Sequence, residues 1–575
     1  MGSIMSGLYV GLSGLRTSSN SLNTTSNNLT NVNTDGYVRQ QVVNRDVMYN
    51  FVNTTSGVNK GQSGLGVTVQ TINHVRDIFL DAAYRKESGR EQFYDKLYDS
   101  VYEIETQMGN VEGIEGIGYQ EALTSFKESL NKLTEAPGDL VVRAAVAQSA
   151  VEFVDKAQLI YKGLRNYQNT LNDEVYKKID RINEIGDQIQ DLNKRISRIE
   201  AAGVENAADL RDSRDLLLDE LASYCKISYS EDERGVVEVS VEGVPFADDV
   251  WVNHMGYTAI EGSDFIEAVW PDLNGQKVYN LNSTISTDTN TDIGGLKGLL
   301  IARGTLSPTS GDMTEPDPAD YADGENDQDY IMALKRHNLY EQCKDTSVVA
   351  NTMANFDKLV SKVMTAVNDI LCPEKQITAS DGTVYTVLDT DLASKGKDGT
   401  YGTELFKRDY TDRYITQTID GETYYVRNNT NSYGNYSIYS INNISVNQEI
   451  LKDYSKMPLT MADGSDDYDR ANQLVNIFSK DQLFYNDGLD GLTFEEFFET
   501  LINDVATTGK IYKSMSENEN ALSANLDSRR QEIMGVSSDE ELGNMIKYQQ
   551  AYNAASRYIN VVSEMMDTLI NRLGA

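Results

Sequence analysis

Leucine recurs at Leu8, Leu15, Leu22 and Leu29, every seventh residue, and Met5 and Leu12 occupy alternate positions of the same stripe. Between them lie Gly7, Gly11, Gly14 and many Ser, Thr and Asn residues. Glycine costs about 1 kcal/mol relative to alanine inside a helix, and Ser and Asn compete for backbone hydrogen bonds. The segment therefore carries a helical pattern on a backbone too weak to hold a helix alone. It is expected to be disordered in the monomer and to order when another surface covers the leucine stripe. The stretch Asn31-Val32-Asn33-Thr34-Asp35-Gly36-Tyr37 then reads as a turn. Residues 38–75 alternate irregularly, which predicts loops and a short hairpin.

Helical periodicity follows. It predicts a helix from near Asp77 towards Met108, broken by the glycines between Gly109 and Gly118, and another over about 119–133, closed by Pro137-Gly138. From Asp139, a suitable N-cap, a seam runs through Ala150, Phe153, Ala157, Ile160 and Leu164 to Ile196 and Ile199 in steps of three and four, without a proline. Some sixty residues at about 1.5 Å each make a rod of roughly 90 Å, which predicts an elongated molecule. Gly203 is expected to end it. A helix over Asn206 to Tyr224 carries Arg211, Asp212, Arg214 and Asp215, read as a solvated salt-bridge network. Val236 to Val241 read as strand. Residues 307–330 hold eight acids and no base, a solvated acidic loop. Val349, Met353, Phe356, Val360, Val363, Val367 and Ile370 predict a further helix, ended at Cys372-Pro373. In 374–450, Tyr414 to Ile419, Asp420-Gly421 and Glu422 to Val426 predict a hairpin with a two-residue turn, within a β-rich insertion projecting from the helical body.

The chain is helical again from Phe494 to Glu532. Gly535 breaks that helix, and Ser538 is the expected cap of the next, with Glu541 three residues on. The last helix has two apolar seams. One comprises Leu542, Met545, Tyr552, Ile559, Met566, Ile570 and Leu573; the other comprises Tyr548, Ala551, Ala555, Tyr558, Val562, Met565 and Leu569. Two seams require neighbours on two sides, as in a subunit of a packed array.

Composition narrows the functions. The chain has 575 residues, a length of roughly three or four domains. Lys+Arg 51 against Asp+Glu 88 leaves a net charge of −37, which argues against nucleic acid or an anionic membrane as partner. Cys225, Cys343 and Cys372 are too few and too scattered for a disulfide framework or a paired-cysteine zinc site. His74, His254 and His337 are equally dispersed. No apolar run approaches the roughly 20 residues of a membrane span, and the N-terminus lacks the basic and apolar regions of a cleavable signal. Phosphate-loop, dinucleotide, zinc-protease and nucleophile-elbow motifs are absent from the sequence, so no catalytic residue, cofactor or metal is expected.

The two ends carry a resemblance. Ser26-Asn27-Asn28-Leu29-Thr30-Asn31-Val32-Asn33-Thr34-Asp35-Gly36-Tyr37, followed by Arg39-Gln40, resembles the N-terminal signature of the bacterial flagellar axial family of rod, hook and hook-associated proteins. Asp35 stands where that family usually places proline; aspartate also suits a turn, so the same fold is expected. Asp539-Glu540-Glu541-Leu542, Met545-Ile546-Lys547-Tyr548-Gln549-Gln550-Ala551-Tyr552 and Ser563-Glu564-Met565-Met566 are similar to the family's other end. The central stretches Leu210 to Leu221 and Gly294 to Leu300 resemble the hook–filament junction branch of the family.

The resemblance implies a mainly α fold with β-rich insertions, elongated and multi-domain. Long coiled-coil-like helices would run through it, and the N- and C-terminal helices would pair in the assembled tube. Residues 1–36 with 537–575 would form the terminal segment; 37–225 with 331–372 and 451–536 a helical rod domain; 226–306 a small β-rich segment; 307–330 the acidic loop; and 374–450 a β-rich outer domain. The implied function is that of a non-enzymatic structural subunit of the junction ring between hook and filament. It would be secreted through the flagellar type III apparatus without a cleaved signal peptide. Implied partners are sister copies in a ring, the hook protein, a second junction protein and a cytosolic export chaperone on the C-terminal helix, with no nucleic acid and no membrane insertion. The implied N-terminal motif and assembly seam are Leu8, Leu15, Leu22, Asn27, Asn28, Leu29, Asn31, Asn33, Gly36 and Tyr37. The C-terminal seams are Leu542, Met545, Ile546, Tyr548, Tyr552, Ile559, Val562, Met566, Leu569 and Leu573. A hook or distal rod subunit shares these ends, but a hook protein should be mostly β between its end helices. An extracellular glycan-binding or hydrolytic role for 374–450 would rest on its tyrosines and threonines, which are ordinary sheet composition.

Overall fold

The computed structural model describes residues 2–47, 50–52, 61–109, 118–201, 206–321, 323–409, 411–428, 439–484 and 491–573. The expected helix breaks at 110–117 and Gly203 lie outside the described residues. The chain begins with helix α1 (Gly2–Thr30), strands β1 (Gln40–Asp46), β2 (Asn50–Val52), β3 (Gly61–Ser63) and β4 (Val67–His74), then helices α2 (Ile78–Gln107), α3 (Tyr119–Glu135), α4 (Leu140–Glu200) and α5 (Ala208–Tyr224). Strands β5 (Ile227–Glu231), β6 (Val237–Val241), β7 (Val244–Ala247), β8 (Gly256–Ala259), β9 (Ile266–Trp270) and β10 (Gln276–Lys277) precede α6 (Gly295–Arg303), α7 (Gln328–Cys343) and α8 (Val348–Leu371). Strands β11 (Glu374–Thr378), β12 (Val384–Leu388), β13 (Phe406–Arg408), β14 (Tyr414–Ile419), β15 (Glu422–Arg427) and β16 (Ile444–Val446) follow. Helices α9 (Gln448–Lys452), α10 (Tyr468–Asn476), α11 (Phe494–Met534) and α12 (Ser538–Leu573) complete a mainly helical fold with β-rich segments.

The long seam produces one uninterrupted helix. α4 runs for 61 residues, about 92 Å at 1.5 Å per residue, and Asp139 Oδ1 accepts the N–H of Val141 at 2.8 Å, the predicted cap. Its seam is buried from Ala150 to Ile196, and Ile199 beyond it is exposed.

The chain forms two compact units. The first comprises Met1–Gly89, Ile182–His254 and Asn518–Ala575; the second comprises Arg90–Arg181 and Met255–Glu517. The second is organised around one apolar core in which α3, the first part of α4, α8 and the first part of α11 interdigitate, with Tyr119 4.8 Å from Phe356 and 5.0 Å from Phe498 between ring centres. The region 374–450 does not project as a whole. Leu405, Phe406, Ile444 and Val446 belong to that core, because β13 and β16 alternate buried and half-buried positions against it. The sheet β11-β12-β15-β14, which contains the predicted hairpin with Ile419 opposite Glu422, has a small core of its own around Val387, Ile419 and Val426. The acidic stretch is less solvated than expected. Asp312 is buried and takes Arg336 Nε at 2.8 Å and Nη2 at 2.7 Å, so one acid of the run anchors it.

In the first unit, α1 lies along α12 and against the antiparallel ribbon β1–β4. The sheet β5-β6-β7 packs Val237, Val239 and Val241 inward. The last helix is capped one residue earlier than expected: Ser537 Oγ accepts the N–H of Glu540 at 3.4 Å. Ser538 is already the first helical residue, which puts Glu540 instead of Glu541 at the third helical position.

Candidate functional site

The first unit brings the N-terminal motif, the charged helix α5 and the α11–α12 corner together. The leucine stripe is not what α1 buries. Leu8, Leu15, Leu22 and Leu29 are half-buried, while Gly11, Thr17, Ser18, Ser21, Thr24, Thr25 and Asn28 form the covered face. Two features make a small, polar face suitable for burial. Gly11 lets α12 approach closely: a Cβ there would lie 2.7 Å from Ile559 Cγ1. The hydroxyls meet backbone groups of the ribbon, Ser13 Oγ accepting the N–H of Val67 at 3.2 Å and Thr17 Oγ1 donating to its carbonyl at 3.4 Å.

The motif after α1 is an elbow. The buried amide of Asn28 takes both hydrogen bonds of Gln40, accepting its N–H at 3.0 Å and donating to its carbonyl at 2.9 Å, and so imitates a strand neighbour. Tyr37 donates its hydroxyl to Asn28 Oδ1 at 2.9 Å. Burial, followed by Asp212, Asp209 and Glu541, pushes the Tyr37 phenol well up, so it remains a donor. Asn31 Nδ2 donates to the Asn27 carbonyl at 2.9 Å, while Asn27 and Asn33 remain exposed. Gly36 has φ 75°, where a side chain is strained, and a Cβ would meet Leu216 at 2.4 Å.

The elbow is then tied to three elements. Val38 donates its N–H to Asp212 Oδ2 at 3.1 Å. Arg39 donates its N–H to the Met534 carbonyl at 2.8 Å, at the end of α11. The Arg39 side chain pairs with Glu540 at 2.9 Å and Glu541 at 3.1 Å, at the start of α12.

The charges of α5 are the principal correction. They do not form a solvated network: Asp212 is 6% and Arg214 1% exposed. Asp212, Asp215 and Asp219 recur every three or four residues and so share one face. Asp212 Oδ1 faces His74 Nδ1 at 3.2 Å; Asp215 Oδ1 pairs with Arg85 at 3.2 Å; Asp219 pairs with Arg530 at 2.7 Å as well as with Arg85. Burial lowers the affinity of Arg85 for its proton, but Asp219 and Asp215 outweigh it and raise the pKa. On another side, Arg214 donates to Asn193 Oδ1 at 3.0 Å and the Gly235 carbonyl at 2.7 Å. Arg211 pairs with Glu200 and Glu231, both at 2.7 Å. Sequence reasoning missed Arg39, Asp212, Asp219, Glu541 and Arg530. The recurrence of acids at 212, 215 and 219 was the available signal, since an exposed network has no need of a single face.

On α12, Val562 is buried, and Met545, Tyr548, Tyr552, Ile559 and Met566 are half-buried. Leu542, Ile546 and Leu569 are exposed, together with Val561, Met565 and Ile570; the side chain of Leu573 lies outside the described residues. The covered positions come from both predicted seams, so α1 does not select one of them. Among the described residues, no group of three or more His, Cys, Asp or Glu side chains gathers to hold a metal, and no helix is long and apolar enough to cross a membrane.

Three family descriptions match stretches of the chain. They are the flagellar hook-associated protein FlgK helical domain over residues 105–372, the flagellar basal body rod FlgEFG protein C-terminal region over 528–573, and the flagella basal body rod protein over 8–37. Flagellar hook-associated protein 1 of Bacillus subtilis (strain 168) is 23% identical over 95% of this chain and 93% of its own length. The proteins of the same name from Salmonella typhimurium and Escherichia coli (strain K12) are 23% and 22% identical over 97% of this chain and 98% of theirs. The solved structure of the flagellar hook junction protein FlgK from Burkholderia pseudomallei aligns with 79% of this chain and 99% of its own, at 12% identity and a TM-score of 0.47. With rod-protein matches at both ends of the chain and the hook-associated helical domain between them, the chain is similar along nearly its whole length to flagellar hook-associated protein 1.

Proposed function

We infer that this chain is a structural subunit of the bacterial flagellum, placed at the junction of hook and filament and secreted to reach it. The role is structural, not enzymatic. The observation that carries this reading is the half-covered state of the terminal helices. α1 covers one side of α12, while Ile546, Val561 and Met565 leave an apolar stripe exposed on a chain of net charge −37. Copies so acidic repel one another, so association has to come from apolar burial, and that stripe is apolar surface of the required kind.

In this reading residues 1–36 and 537–575 form the wall of a ring of sister copies. The predicted seam residues of α1 and α12 contribute its contacts, and α5 and the elbow set the angle at which the wall leaves the rest of the first unit. The hook protein and a second junction protein would flank the ring, and an export chaperone would cover α12 before secretion. The match of residues 105–372 to the hook-associated helical domain favours this over a hook or distal rod subunit, which shares only the ends.

Electron microscopy of cells lacking the protein tests the role. Hooks without filaments are expected, with filaments restored by the full chain and not by one lacking residues 1–36 or 537–575. Normal filaments in the deletion strain, or restoration by the truncated chains, would overturn it.

A further inference from the structure

We propose that Arg39 is the positioning residue that locks α1 to α12, so that the two terminal helices take up their pairing as one element. The proposal rests on the reading of the terminal pair as the assembly wall. Arg39 lies at the exit of the elbow, and one residue makes two kinds of connection there. Its N–H reaches the last carbonyl of α11, and its guanidinium reaches the first turn of α12, so it grips both sides of the corner from which α12 departs.

The two acids it meets are not equivalent. The Glu540 side chain is 61% exposed, and water can replace its partner. The Glu541 side chain is 3% exposed, and without Arg39 it would be a buried carboxylate beside Glu540. The inequality predicts which substitutions matter. It also separates a lock from general acidity, because only the buried pair fixes a direction.

The test uses a reporter distant from the lock. A Cβ at Gly14 would lie 3.6 Å from Ala555 Cβ, within the roughly 3.5–4.5 Å spanned by a disulfide. The full-length protein carrying Gly14→Cys and Ala555→Cys should form an intrachain disulfide on mild oxidation, read as a faster band on a non-reducing gel. The native cysteines are free and buried and should not interfere. In this background Arg39→Ala and Glu541→Ala should lower the yield at least several-fold. Glu540→Ala should leave it unchanged, and the exchanged pair Arg39→Glu with Glu541→Arg should restore it. An unchanged yield in Arg39→Ala, or no recovery in the exchanged pair while circular dichroism shows a folded chain, would overturn the lock. Filament attachment is scored in the same variants. Filaments lost while the disulfide persists would refute the lock and leave the junction role standing. Disulfide lost while filaments persist would leave the lock and refute the terminal pair as the wall.

Discussion

The carboxylate of Asp212 accepts the backbone N–H of Val38 at 3.1 Å across 174 positions of sequence, and both residues are buried. Asp212 thus does for the elbow what a neighbouring strand would do. Asp219, two turns further along α5, takes Arg85 from α2 and Arg530 from α11. The face of α5 is therefore a row of acceptors for chain segments that approach from different directions.

Removing these acceptors should cost unequal amounts. Asp212→Ala leaves one buried N–H unpaired, worth about 1–3 kcal/mol. Asp219→Ala removes one charge-assisted bond from each of two buried guanidinium groups, Arg85 keeping Asp215 and Arg530 keeping Asp81, at about 1.5–3 kcal/mol for each bond. Urea denaturation of the full chain, with hydrogen exchange reporting the first unit, should rank Asp219→Ala below Asp212→Ala in stability. The reverse order would mean that Asp215 and Asp81 hold Arg85 and Arg530 without help from Asp219.

Gly11 should not admit even a methyl group without cost. The contact at 2.7 Å is to Cγ1 of Ile559, next to the branch of a side chain stiff at χ1, and Tyr558 Cδ1 lies at 3.1 Å, so α12 has to shift. Gly11→Ala is therefore expected to destabilise the pair by about 1–2 kcal/mol, although alanine recovers about 1 kcal/mol of helix propensity. Gly11→Leu cannot be accommodated and should abolish the Gly14→Cys/Ala555→Cys disulfide, with partial recovery when Ile559→Ala is added. A fully cross-linked Gly11→Leu variant would place α12 further from α1 than the structure does.

The sequence revealed elements more readily than faces. The α4 seam, the 414–426 hairpin and the start and end of α8 are legible because a single period or turn pair determines each. α1 was misjudged because its leucines announce a buried stripe, whereas the covered face is Gly, Ser, Thr and Asn. Such residues are buried only when a partner helix comes close or a ribbon supplies backbone acceptors and donors, and neither condition can be read from α1 itself. Asn28 and Tyr37 were recognisable as parts of a motif, but their hydrogen bonds to Gln40 and to each other depend on the elbow being folded. The α5 charges failed for the same reason: alternating signs fit a solvated face until Val38, His74, Arg85 and Arg530 arrive from elsewhere.

The corner between α4 and α5 should weaken in acid. The hydrogen bond from Arg211 is the largest influence holding the Glu200 carboxyl below the ordinary glutamate value, about 4.3. A depressed carboxylate contributes stability above its unfolded pKa and loses it as pH falls through its folded pKa. The contribution is thus present at neutral pH and fades below about pH 4. Glu200→Gln should lower stability at pH 7 and flatten the acid limb of the stability curve in that range. If Glu200→Gln and the unaltered chain lose stability in parallel between pH 5 and 3 (about the carboxylate range), Glu200 does not contribute to that limb.

The uncovered side of α12 should matter for assembly and not for the fold of a single chain. Ile546 and Met565 are each 57% exposed, so replacing either with serine removes little buried area and should change stability by no more than about 0.5 kcal/mol. The same replacement at Ile559, which faces Gly11, should loosen α1 and lower the yield of the Gly14→Cys/Ala555→Cys disulfide. Filament attachment separates the two sides of the helix. Ile546→Ser with Met565→Ser is expected to keep the disulfide and lose filaments, because the burial removed is burial against another molecule. Ile559→Ser is expected to lose both. Should the doubly exposed variant carry normal filaments, the acidic copies must be held together by some other surface, and the stripe on α12 would be ordinary exposed apolar area of the sort every folded protein carries.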